Sequence, residues 1–140
     1  MLRLRIKDKH AAYLRGLAAQ VNLVWNFCNE TSRRRLEREQ RFVDAGGLRE
    51  LTRGATKEGL ALHSQTVQAV NEEYVTRRKQ FKKRQLRWRV SNRKRAHYSL
   101  GWIPLKKSAI RYRSGLVYLA GEPAVNEGGR GLPAVGIPFL

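Results

Sequence analysis

From residue 2 the chain alternates apolar and basic positions: Leu2, Arg3, Leu4, Arg5, Ile6, Lys7. That period of two predicts a half-buried strand whose outer face is wholly cationic. Asp8 follows as a helix cap, and Leu14, Leu17, Ala18, Val21, Val24, Trp25 and Cys28 then recur at intervals of three and four. The spacing predicts an amphipathic helix over residues 9 to 43. Its second half keeps the register weakly through Leu36 and Phe42. There Arg33, Arg34, Arg35, Arg38 and Arg41 crowd in against Glu37 and Glu39, so this half should project from the core. Gly46-Gly47 ends the helix, residues 48 to 53 form a short one, and residues 54 to 59 read as a connector.

A second stripe, Val67, Val70, Tyr74, Phe81 and Trp88, predicts another long helix, capped by Ser64 and packed antiparallel to the first. Further on, two short apolar runs at residues 109 to 113 and 116 to 120 flank Ser114-Gly115 and read as a β-hairpin. The last twenty residues hold five Gly and three Pro with no period of 2 or 3.6, which predicts an irregular, disordered tail. The expected fold class is therefore α+β. It comprises a long antiparallel helical hairpin with a small β-sheet or partial barrel, formed by the N-terminal strand and the late hairpin. Residues 1 to 120 make one nucleic-acid-binding domain and residues 121 to 140 the tail.

Composition sharpens this outline. A chain of 140 residues with 41% hydrophobic content fits one domain with a modest core. Lys and Arg number 29 against 11 Asp and Glu, a net charge of +18 and a pI near 11.2, so a polyanionic partner is expected. A single cysteine, Cys28, excludes a disulfide framework and points to the cytoplasm. No apolar run approaches the roughly 20 residues that cross a bilayer, and the charged N-terminus is not a standard secretion signal, so no membrane partner is expected.

The charge is concentrated. From Arg77 to Arg95 there are eleven basic residues in nineteen and no acid. A solvated helix face normally mixes both signs, because like charges at i,i+4 spacing repel. Phosphates of RNA or DNA would supply the missing counter-charge. The candidate contacts are Arg77, Arg78, Lys82, Lys83, Arg84, Arg87, Arg89, Arg93, Lys94 and Arg95, with Arg3 and Arg5 as a second cationic strip. Arginine outnumbers lysine about two to one, which favours bidentate phosphate contacts and stacking. Among the interleaved aromatics, Phe81 and Trp88 belong to the second helical stripe and read as core, while Tyr98, Tyr112 and Tyr118 are open to stack on bases.

Catalysis finds no support in the residues. Metal-dependent cleavage needs clustered carboxylates, yet Glu72-Glu73 is the one adjacent pair and consecutive helical positions point about 100° apart. His10, His63 and His97 have no metal-binding spacing and read as cap or surface residues. Cys28 and Tyr74 lie on apolar stripes and read as core. No catalytic residue, metal or cofactor is assigned.

Three segments carry a family resemblance. Val21-Asn22-Leu23-Val24-Trp25-Asn26-Phe27-Cys28-Asn29 resembles the R-x-V-Y-N segment near the start of the OrfB/TnpB-type proteins of bacterial insertion sequences. His63-Ser64-Gln65-Thr66-Val67-Gln68-Ala69-Val70 resembles that family's second-helix segment, and Ser99-Leu100-Gly101-Trp102-Ile103-Pro104-Leu105-Lys106 resembles a motif of one branch. The similarity spans about residues 1 to 120. It implies an N-terminal part of a transposon-encoded, RNA-guided DNA nuclease related to the type V CRISPR effectors, long described as a helix-turn-helix domain of a transposase. In that family this part is a small β-barrel with a helical insertion that grips guide RNA and DNA. The family's RuvC-like nuclease, with three acidic ligands, and its zinc ribbon have no counterpart in these residues. The resemblance also stops near Gly121, as a frameshift or truncation would produce. The expected function is thus RNA or DNA binding without cleavage. Half of a split RNA-guided endonuclease, a small basic ribosome-associated RNA-binding protein, and a chain that folds only on RNA are the alternatives.

Overall fold

A computed structural model describes residues 8–53, 59–82, 84–99, 102–107, 110–113, 116–119 and 136–138. Three helices organise it: α1, Asp8–Glu39; α2, Ala45–Thr52; and α3, Ser64–Phe81. The apolar stripe of α1 is buried as its spacing requires, with Leu17, Val21, Val24, Trp25 and Cys28 in the core. Val67, Val70, Tyr74 and Val75 of α3 meet them, and Val43, Leu48, Leu62 and Leu86 close the cluster. The Trp25 and Tyr74 rings pack edge to face, 5.3 Å between centroids.

Helix α1 stops earlier than its glycines suggest. Gln40 takes a left-handed conformation, φ 54°, and its N–H donates to the Leu36 carbonyl at 3.0 Å. This turn brings Val43 into the core. Gly46-Gly47 lie in the first turn of α2, where Asp44 caps the helix by accepting from the Gly47 N–H at 2.7 Å. For α3 the cap is His63 rather than Ser64, its Nδ1 accepting from the Gln65 N–H at 3.1 Å.

The two long helices run parallel, not antiparallel. Cys28 Sγ donates to Asn71 Oδ1 at 3.1 Å, Tyr74 OH donates to Asn29 Oδ1 at 3.0 Å, and Arg78 Nη1 donates to Ser32 Oγ at 2.7 Å. Residue numbers rise together on both sides. The link between the helices carries the chain back toward the start of α1, where the Ala61 N–H donates to Gln20 Oε1 at 2.7 Å. At 1.5 Å per helical residue that return covers roughly 30 Å. A short linker would have forced an antiparallel hairpin; this one contains α2 and does not.

After α3 the chain leaves the helix. Lys82 is left-handed, φ 52°, and its N–H bonds the Arg78 and Lys79 carbonyls. Residues 86–91 then run back along α1, held by three asparagines on one of its faces. Asn29 Nδ2 donates to the Leu86 carbonyl at 2.7 Å, and Asn29 Oδ1 accepts from the Leu86 N–H at 3.0 Å. Asn26 repeats the pattern on Arg89, 2.9 and 2.8 Å, and Asn22 Nδ2 donates to Ser91 Oγ at 2.9 Å. Outside a helix the segment's side chains no longer recur at i,i+4 spacing, since Leu86, Arg89 and Ser91 sit opposite Asn29, Asn26 and Asn22. That relieves the repulsion a helix would impose on this run, so Phe81 and Trp88 do not continue the buried stripe.

These findings overturn the α+β expectation. The packed body is mostly helical, and no barrel is seen among the described residues. Among the described residues, extended pairing comprises one isolated parallel bridge between Val90 and Tyr98 and a short antiparallel ladder of β1, Ile110–Arg113, β2, Leu116–Leu119, and β3, Gly136–Pro138, in the order β1-β2-β3. The third of these lies in the stretch expected to be irregular, where Gly136 pairs with Tyr118. The expected first strand, residues 2 to 7, lies outside the described residues.

Replacing Asn29 should be costly. Asn29→Ala leaves the Leu86 N–H and carbonyl without partners and removes the acceptor of the Tyr74 hydroxyl, so it should destabilise the fold by about 3 kcal/mol. Asn26→Ala, with two bonds lost at a half-buried site, should cost about 1 to 2 kcal/mol. Urea denaturation followed by circular dichroism measures both; equal or negligible losses would refute this role.

Candidate nucleic-acid interface

Residues 84–99 carry six of the twelve expected contacts. Within them Leu86 and Arg89 turn inward and Arg87 and Trp88 outward. The Arg89 guanidinium lies between two indoles, 4.3 Å from the Trp25 ring and 5.1 Å from that of Trp102. The two rings themselves meet edge to face at 6.4 Å. Burial lowers the Arg89 pKa from its ordinary value, with Glu73 acting in the opposite sense. Its role is cation–π packing that joins the segment to the core.

Between the end of α3 and this segment lies an open groove of about 710 Å³. Phe81, Trp88 and Trp102 supply aromatic surface, Leu86 part of the lining, Arg77 and Arg87 positive charge, and Glu73 and Ser99 polar groups. Phe81 is 54% exposed and Trp88 43%. Both were expected in the core, and both lie in the groove because the helix ends at Phe81.

The candidate cations have separate fates. Arg77 pairs with Glu73 at 2.6 Å. Arg78 is withdrawn altogether: it is 4% exposed. Its Nη1 also donates to the Val43 carbonyl at 2.9 Å, and its guanidinium lies 4.4 Å over the Phe42 ring. Burial lowers its pKa. This corrects the reading of Arg78 as a phosphate contact; it ties α3 to α1 and to the turn at Val43. Arg87 is exposed and lines the groove, and Lys82 and Arg84, also exposed, fall between its lining residues Phe81 and Leu86 in the chain. Arg93, Lys94 and Arg95 are exposed on a turn closed by Asn92, whose side chain accepts from the Lys94 N–H at 3.0 Å and whose carbonyl accepts from Arg95 at 3.1 Å. None of these six has an acidic partner among the described residues. Arg3, Arg5 and Lys83 lie outside the described residues.

Three arginines of α1 behave differently. Arg33 bridges Glu30 and Glu37, each at 2.8 Å, Arg34 pairs with Glu30 at 2.7 Å, and Arg35 with Glu39 at 3.0 Å. Hydrogen bonds from Arg33 and Arg34 hold the Glu30 carboxyl below the usual range. These three are neutralised within the helix, whereas the exposed Arg38 has no acidic partner among the described residues. Cys28 is fully buried, and desolvation pushes its thiol up to about 12; burial likewise raises Tyr74. Neither is placed as an accessible nucleophile. No group of three or more His, Cys, Asp or Glu that could hold a metal occurs among the described residues.

The asparagines were not singled out from sequence, although a signal was present. Asn22, Asn26 and Asn29 fall at i, i+4 and i+7, one face of a helix that such residues disfavour on propensity alone. Comparison with protein-family models, with curated proteins and with solved structures finds no match to this chain. No helix among the described residues is long and apolar enough to cross a membrane.

Three outcomes follow from this placement. Arg78→Gln should lower stability by about 2 kcal/mol, the worth of buried hydrogen bonds to a charged group. Arg84→Gln should leave the unfolding midpoint unchanged. Cys28 should resist iodoacetamide at pH 8 in the native protein and react once urea unfolds it; rapid native reaction would contradict its burial.

Proposed function

We propose that this chain is a nucleic-acid-binding module of the OrfB/TnpB type, which holds guide-type RNA or DNA in the cytoplasm through phosphate contacts and does not itself cut. The observation that carries this reading is the contrast between the two arginine-rich regions. On α1 each of Arg33, Arg34 and Arg35 has a glutamate. From the end of α3 to the turn after Asn92, Lys82, Arg84, Arg87, Arg93, Lys94 and Arg95 stand exposed with no acid among the described residues to answer them. They are distributed over the turn after α3, the returning segment and the turn at Asn92, which opens where the segment has run about 10 Å back along α1. A chain of phosphates would meet such a strip at several points, and release of its condensed counterions would drive binding.

The resemblance adds to this. Its segments at residues 21–29 and 99–106 include Trp25 and Trp102, the two indoles that enclose Arg89. The matching stretches are therefore neighbours in the fold and support the same part of the surface.

Binding of a structured RNA, followed against salt, tests the proposal. Replacing Lys82, Arg84 and Arg87 together by Ala should reduce the slope of log K against log salt by about 2 to 3 and weaken binding across sequences. Replacing Arg33 and Arg34 should leave the slope unchanged. An unaltered slope in the first variant would sink the proposal.

A further inference from the structure

Phe81 and Trp88 present large apolar rings to water on a chain of net charge +18, and both line the same groove. Isolated exposed apolar residues need no explanation, but two rings converging on one concave surface do. The groove, about 710 Å³, falls within the range of ligand-binding clefts. Its chemistry is mixed in a particular way. Phe81 and Trp88 offer faces for stacking, and Trp102 gives further aromatic surface while its indole also packs Arg89. Glu73 can accept and Ser99 can donate or accept a hydrogen bond. Arg87 brings positive charge to the lining without an acidic partner among the described residues. Flat aromatic surface beside unpaired cations is complementary to a flat heterocycle joined to a phosphate.

We propose that this groove receives an unpaired nucleobase, stacked on Trp88 and Phe81 with its flanking phosphates against Arg87, Arg84 and Lys82. The preferred ligand is then single-stranded, because the bases of a duplex are already stacked on one another and cannot present their faces. The inference deepens the nucleic-acid reading and rests on it. Charge alone would select phosphates whatever their bases; the aromatic groove adds a requirement for an accessible base.

Three probes of equal phosphate content per strand separate the two ideas: an oligothymidylate of about twelve nucleotides, an abasic strand of the same length, and the corresponding duplex. Binding of the full chain is followed by fluorescence anisotropy. The wild-type protein should prefer oligothymidylate over the abasic strand by about tenfold, the scale of one stacked base. Its tryptophan emission should be quenched by oligothymidylate only. Trp88→Ala should abolish the preference while leaving abasic binding and the circular dichroism spectrum unchanged, and Trp88→Phe should restore most of it. Equal wild-type affinity for the oligothymidylate and the abasic strand, or equal losses for both in Trp88→Ala, would overturn the base-binding groove and leave the phosphate-binding reading standing. Failure of all three probes to bind at low salt would overturn both.

Discussion

The fold depends on asparagine side chains acting as pieces of backbone. A primary amide has the same donor and acceptor as a peptide unit, so Asn26 and Asn29 each satisfy both the N–H and the carbonyl of one residue in the extended segment. They do for the segment what a neighbouring β-strand would do, from the side of a helix. Asn29 also accepts the Tyr74 hydroxyl, so one buried side chain joins α1, α3 and the returning segment. Buried polar networks of this kind impose a specific geometry, since a shifted segment would strand several hydrogen-bonding groups at once.

That constraint is what makes a strongly cationic surface compatible with a small core. Eleven basic residues within nineteen would destabilise a helix that held them all. The structure divides them instead. Arg78 goes inside, where a serine hydroxyl, a carbonyl and a phenyl ring surround it. Arg89 goes between two indoles. The exposed remainder is distributed over the turn after α3, the extended segment and the turn at Asn92. Inward and outward arginines thus alternate in role along one run of sequence, the inward ones anchoring what the outward ones display.

Much of the helical body was legible. The three- and four-residue spacing of α1 and the Val67, Val70, Tyr74 stripe of α3 specify which faces are buried, and Cys28 and Tyr74 are core residues as that spacing requires. Arg78 was misread: it lies one turn after Tyr74 on the same stripe, but its charge assigned it to the phosphate contacts. The direction of α3 was not legible, because periodicity identifies a buried face without stating which way the helix points along its neighbour. Nor was the end of α3. Phe81 and Trp88 keep a seven-residue interval from Tyr74, but the helix ends at Phe81 and the chain around Trp88 is held by Asn26 and Asn29, more than fifty residues earlier. Short-range patterns carry no trace of a partner so distant. Sheet and barrel were inferred from alternation in residues 2 to 7 and from the later apolar runs, whereas the packed body closes through helices and one extended segment.

Because α1 and α3 point the same way, their peptide dipoles add side by side instead of cancelling as they would in an antiparallel pair. Each helix brings about half a negative elementary charge to its C-terminal end, and both ends lie on the same side of the molecule. Arg38 in the last turn of α1 and Arg78 and Lys79 in the last turn of α3 occupy that region. Part of the cationic excess there answers the field of the protein's own backbone. The formal charge of the chain therefore overstates the potential at this pole, and the turn at Asn92, reached only after the segment has run back along α1, displays its three cations away from it.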